Sequence, residues 1–218
     1  NGRSGRLGKD IGQISVEKFD NYIEDFKQFI EEKVIPNSYN KKIILFAHSM
    51  GGGIGTVFLE KYPQYFNGAI LSSPMHQINT GNTPAFIADM LSRIWVYFGK
   101  GNEYMPGQKS YNGQRRFPSR STNCEERYNY QYDKILKNKS FQTGGASAKW
   151  YFEASKATRY IRNKKNISKV KIPVILLQAE CDTHVIADAH YKFAKYADNC
   201  EVIIVANGKH ETYFEVDE

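Results

Sequence analysis

The sequence predicts an α/β protein, built as a mostly parallel sheet flanked by helices and carrying a helical insertion. Three observations lead there. Four short apolar runs rich in β-branched residues read as strands, helical patterns separate them, and the segment 76–165 breaks the alternation. The 218 residues suffice for one sizeable core, and 41% hydrophobic with 24% charged residues fits a globular chain rather than a disordered one.

Each element has its own signal. Val16, Phe19, Ile23, Phe26, Phe29, Ile30 and Val34 recur at three- and four-residue steps, which predicts a helix over 15–34 stopped by Pro36 and Asn37. Residues 41–47 then form an apolar run without alternation, the mark of a strand buried on both faces. A glycine-rich turn leads into a helix over 54–62, ended by Pro63. The runs 67–74, 172–178 and 201–205 repeat the buried-strand signature, with a helix over 188–197 before the last. Between the second and third strands, helical pieces at 84–98 and 125–136 flank a Gly-, Asn- and Arg-rich loop at 99–123. The chain thus divides into a core, 1–75 and 166–218, and a mostly helical lid, 76–165, set over the Ser49 end of the sheet. Phe86, Ile87, Met90, Leu91, Ile94, Trp95 and Phe98 make an apolar stripe in the lid. It either shelters an acyl chain or is the lid helix's core-facing side.

Composition excludes several classes. No stretch approaches the roughly 20 apolar residues of a spanning helix, and residues 1–6 lack the apolar run of a signal peptide. The missing initiator Met suggests that an upstream segment has been removed. Cys124, Cys181 and Cys200 are odd in number and widely spaced, which points to reduced thiols in a cytoplasmic compartment and away from a zinc site. The formal net charge of +7 reads as a solvated basic surface, with weak peripheral attraction to anionic phospholipid as the functional alternative. The cations are spread along the chain with no nucleic-acid motif, so no nucleic-acid partner is expected.

The chemistry concentrates in Phe46-Ala47-His48-Ser49-Met50-Gly51-Gly52-Gly53. It follows a strand and precedes a helix, the context in which a G-x-S-x-G elbow exposes a nucleophilic serine. Ala47 stands for the first glycine and Gly51 is the second, while Gly52, Gly53 and Gly55 let the helix approach the sheet. The Met50 N–H, at the helix N-terminus, is one oxyanion donor. A serine needs a base, and His210 lies in the loop after the last strand. His48 reads as a structural hydrogen-bonder, His76 as a pocket-lining residue at the lid junction, and His184 and His190 as surface or loop residues. Asp182 follows the third strand and completes the order Ser, Asp, His, with Glu180 and Asp188 as rival acids.

The peptides 47–52, 71–75 and 208–211 resemble the bacterial lysophospholipase and monoacylglycerol lipase branch of the α/β-hydrolases. Residues 178–183, 125–128 and 144–150 favour its lysophospholipase side. The resemblance implies an α/β-hydrolase fold, a Ser49-His210-Asp182 triad, an acyl-enzyme, and a lipid or small ester substrate, for which His76 at the lid junction and Trp95 in the lid stripe are the candidate contacts by position. It implies no metal and no organic cofactor. Residues 2–6 resemble a loop that follows several further strands and a His-Gly turn in such enzymes. The resemblance therefore implies an N-terminally truncated chain lacking the first strands and the second oxyanion donor.

Overall fold

The computed structural model describes residues 5–7 and 10–217. Residues 2–4, part of the loop likened to the one that follows the early strands, lie outside them. Among the described residues one sheet forms, in the order β1 (Ile44–His48), β2 (Gly68–Ser72), β3 (Val174–Ala179) and β4 (Cys200–Val205). Every pairing is parallel, with Phe46 beside Ile70 and Ile70 beside Ile175. The carboxyl ends of all four strands therefore meet at one edge, where an open α/β sheet places its functional loops.

Parallel strands need crossovers, and helices supply them. Helix α1 (Phe19–Phe29) precedes the sheet and α2 (Ser49–Lys61) joins β1 to β2. The connection from β2 to β3 holds α3 (Ala85–Tyr97), α4 (Glu125–Lys137), α5 (Ala148–Ile161) and the short α6 (Lys164–Ile167); α7 (Ala187–Tyr196) joins β3 to β4. One core cluster unites Ile23 of α1, Phe58 and Leu59 of α2, Ala154 and Ile161 of α5 and Phe193 of α7 with Leu45, Leu71 and Leu176 of the sheet.

Four expectations need correction. First, the strands are not buried on both faces. The core helices share the face of Leu45, Ala47, Leu71 and Leu176, while on the other face Ile44, Phe46 and Ile175 are 59%, 57% and 37% exposed. Second, helix α1 does not stop at Pro36. It widens into a π turn, Ile30–Val34, with Ile35 N donating to Ile30 O, and runs on through Ile35–Asn37. The wider turn accommodates the proline ring and its missing N–H. Third, α2 starts at Ser49 rather than Ile54, because close packing against residues 74 and 75 overrides the poor helix propensity of its glycines.

Fourth, the segment 76–165 adds no strand to the sheet, but not all of it stands apart from the core. Ser147 Oγ accepts from Trp150 N at 3.0 Å and starts α5. That helix then packs on α2 and supplies Ala154, Ala157 and Ile161 to the main cluster. Residues 148–161 thus belong with the core, and earlier parts of the segment are also bonded to it, as where Ile78 bridges Val185 and Gly144 N donates to Gly12 O at 2.7 Å. The α3 stripe also splits: Leu91 and Trp95 pack inward with Ala88, Met105, Ala148 and Tyr151, whereas Phe86, Met90, Ile94 and Phe98 point into solvent. No helix among the described residues is long and apolar enough to cross a membrane.

Candidate active site

Strand β1 delivers Ser49 at its carboxyl end, and α2 begins on that residue. The reversal forces Ser49 to φ +51°, a left-handed conformation that a side-chain-bearing residue adopts only under constraint. Its carbonyl accepts from Met75 N at 2.8 Å, which ties the elbow to the end of β2. Gly52 makes this approach feasible, because a Cβ there would lie 2.7 Å from Pro74 Cβ and 2.8 Å from its Cα. Gly51, the second glycine of the elbow motif, has nothing within 4 Å of a built Cβ.

The loops after β3 and β4 bring the other two groups to the serine. His210 Nε2 lies 2.7 Å from Ser49 Oγ, and His210 Nδ1 lies 2.8 Å from Asp182 Oδ2. Asp182 Oδ1 accepts from the backbone N–H of His184 at 2.7 Å and of Val185 at 3.2 Å. The Asp182 and His210 side chains are 2% and 8% exposed. Burial alone would raise the Asp182 pKa. The hydrogen bond with His210, that ring's charge and the two backbone N–H groups outweigh it and hold the carboxyl below its usual value. The rival acids stand elsewhere: Glu180 accepts from Asn207 N at 2.7 Å, and Asp188 is exposed in the first turn of α7.

A serine, an imidazole and a carboxylate in line at a strand-to-helix elbow is the arrangement of acyl-transfer hydrolases. The sequence profile of the serine aminopeptidase family S33 matches residues 2–217. The chain belongs to that family. It is 29% identical over 216 residues to the probable lysophospholipase L2 of Haemophilus influenzae, covering 99% of this chain and 67% of the relative. It is 27% identical over 224 residues to lysophospholipase L2 of Escherichia coli, covering 99% of this chain and 65% of that one. The chain thus spans about two thirds of the length of these relatives. Among solved structures, a soluble variant of monoglyceride lipase from Saccharomyces cerevisiae superposes with a TM-score of 0.68 at 16% identity, covering 99% of this chain and 70% of that chain. The S33 protein is therefore an α/β-hydrolase whose relatives are carboxylic-ester hydrolases.

Three more histidines shape this S33 site. His48 Nδ1 lies 3.0 Å from Ser72 O, and its ring centroid is 4.9 Å from that of His210. Burial and the charge of His210 lower its pKa to about 4, so it is neutral near pH 7. His184, read from sequence as a surface or loop residue, is exposed but stacks on His210 at 4.5 Å with 29° between the planes. Burial and the same neighbouring charge lower its pKa too. His190, read likewise, is fully buried and its Nε2 donates to Pro74 O at 2.7 Å, fixing the residue that touches Gly52. Sequence spacing gives no signal for these long-range roles.

The two substrate-contact expectations meet the structure differently. His76 does not line an open pocket: it is 0% exposed, and its Nε2 lies 2.9 Å from Thr56 Oγ1, which donates to Gly52 O at 2.7 Å. It braces α2 from behind. Trp95 packs against the small cluster of Ala88, Met105, Ala148 and Tyr151 and does not line the cavity that reaches the neighbours of Ser49. A cavity of about 670 Å³ runs along β1, lined by Met50, Gly51, Ile54, Tyr22 and Phe26, and reaches both neighbours of Ser49. Met50 occupies the first turn of α2, where backbone N–H groups lack intrahelical acceptors. Asp182, His184 and His210 bring potential metal-ligand atoms within 4.8 Å of one another, but both His210 nitrogens are committed, one to Asp182 and one to Ser49.

Proposed function

We propose that the protein hydrolyses carboxylic esters of lipids, lysophospholipids or monoacylglycerols, through a Ser49-His210-Asp182 triad. The observation that carries the reading is the continuous relay from Ser49 Oγ through His210 to Asp182, at 2.7 and 2.8 Å. Ser49 Oγ attacks the ester carbonyl as His210 Nε2 takes its proton, and Asp182 holds the ring and stabilises its charged form. The Met50 N–H faces the developing oxyanion, assisted by the positive end of α2. The alcohol leaves with the proton from His210. Water then attacks the acyl carbon as His210 takes its proton, and the fatty acid leaves as Ser49 Oγ recovers that proton from His210.

The test is initial rates of the whole protein on both lipid classes, beside small esters and aminoacyl anilides. Ser49→Ala and His210→Ala are each expected to lose on the order of 10³-fold or more, with Asp182→Asn losing somewhat less. A folded Ser49→Ala variant with near-normal rates overturns the serine mechanism. A wild type that cleaves only anilides or small esters leaves the triad standing and removes the lipid substrate.

A further inference from the structure

The segment 119–123 of the insertion is fastened to the loop that carries His210. Ser119 O accepts from Lys209 Nζ at 2.8 Å, and Ser121 O accepts from Glu211 N at 2.8 Å. Arg120 lies between these two anchors, which flank His210 in sequence. Its charge acts on His184, whose ring stacks on His210 at 4.5 Å. Arg120 is therefore held at the rim of the triad.

Its condition differs from that of several other cations of the chain. Arg115, Arg127 and Arg159 each pair with an aspartate. Lys209 is bonded to Ser119 O. Arg120 is exposed and has no hydrogen-bond or ion-pair partner among the described residues. Of the neighbouring carboxylates, Glu215 accepts from Lys209 N and Asn123 N and Asp182 from His210, while Glu211 Oε2 is buried without a hydrogen-bond partner and forms no ion pair with Arg120. An unpaired guanidinium on a segment anchored to both sequence neighbours of His210 offers a planar fork of donors to an oxyanion.

We infer that Arg120 binds the phosphate of a lysophospholipid whose ester is presented to Ser49. This rests on the reading of the site as a lipid-ester hydrolase. In such a substrate three glycerol carbons separate the sn-1 ester from the phosphate, so a group on the rim reaches the anion while the ester meets the nucleophile. A monoacylglycerol carries a neutral hydroxyl at that position and gains nothing from the cation. Arg120 thus selects between the two substrate classes, and it does so through binding.

The experiment compares wild type, Arg120→Gln and Arg120→Lys in the whole protein. The substrates are a short-chain sn-1 lysophosphatidylethanolamine and a monoacylglycerol of the same acyl chain, both kept monomeric so that surface adsorption plays no part. Arg120→Gln is expected to lower lysophospholipid kcat/KM by about 10-fold or more, chiefly through KM, with monoacylglycerol rates within about twofold. Arg120→Lys recovers part of the loss. Equal losses on both substrates, or no loss on either, overturn the Arg120 assignment alone. Wild type that cleaves neither lipid overturns the lipid reading and this assignment with it. Inorganic phosphate, compared with chloride at matched ionic strength, separates a headgroup site from a free-phosphate site. Strong phosphate inhibition of monoacylglycerol hydrolysis that Arg120→Gln abolishes assigns the residue to free phosphate and overturns the headgroup role.

Discussion

Ser49 pays for its position in backbone strain, since its φ of +51° is held only because Met75 N grips its carbonyl and α2 starts immediately. Glycine adopts this conformation freely, so Ser49→Gly is expected to raise stability by about 1 kcal/mol relative to Ser49→Ala while leaving the protein equally inactive. Urea unfolding of the two variants tests this, and a glycine variant less stable than the alanine variant refutes it. Glu60 presents a second residue-scale cost. It is fully buried in α2, neither carboxyl oxygen has a partner, and burial pushes its pKa up to about 9, opposed by the charge of Lys169. The sign follows from linkage. Below its ordinary value of 4.5 the group is neutral in both folded and unfolded chains and costs nothing electrostatic. As pH rises from there towards about 9 the unfolded chain ionises while the folded one resists, so stability falls, and it levels off beyond. Glu60→Leu is therefore expected to stabilise by about 1–3 kcal/mol near neutral pH and by much less near pH 5. Equal gains at both pH values, in urea titrations, would show that packing and not ionisation sets the cost.

Helix α2 shows how one element serves the site, and where its sequence was readable. Its glycines signalled a close approach, which Gly52 makes against Pro74, Gly53 against Met75 and Gly55 against Leu45, whereas Gly51 meets nothing. Gly52→Ala is expected to cost about 1–3 kcal/mol and to disturb the elbow, because Pro74 is backbone-constrained and held by His190. Gly51→Ala is expected to leave stability unchanged or raise it by up to about 1 kcal/mol through helix propensity. Thermal unfolding of both variants decides, and comparable losses would contradict the asymmetry. The strands, the elbow and the order of Ser49, Asp182 and His210 were legible because each rests on a local signal: an apolar run, a glycine cluster, a loop after a strand. The stacking of His184 and the bracing by His76 and His190 were not, since they join residues distant in sequence. Nor was the division of the α3 stripe. Leu91 and Trp95 join a buried cluster and Phe86, Met90 and Phe98 stay exposed, and hydrophobicity alone cannot say which turn of a helix meets a neighbour.

At the scale of the molecule, the sheet is a half-covered layer among the described residues. Leu45, Leu71 and Leu176 face a core built by five helices, while Phe46, Ile70 and Ile175 form an in-register apolar row on the opposite face. Tyr213 approaches that row, with its ring edge-on to Phe46 at 6.4 Å. Among the described residues strand β1 pairs only with β2, which leaves its other backbone edge without a strand partner there. An apolar face beside a free strand edge favours association between chains. The formal net charge of +7 opposes it through mutual repulsion. The two effects respond oppositely to salt, because ions screen the repulsion but leave apolar burial intact. The 218-residue chain alone is therefore expected to self-associate increasingly as ionic strength rises from about 0.05 to 0.5 M, where the Debye length falls below ~5 Å. Phe46→Glu combined with Ile175→Glu should suppress this at every salt concentration, since both residues lie on the open face and neither belongs to the core cluster. Light scattering and sedimentation velocity measure it directly. A wild-type chain that stays monomeric at high salt, or a double variant that associates as readily, would show that the open face does not drive contact between molecules.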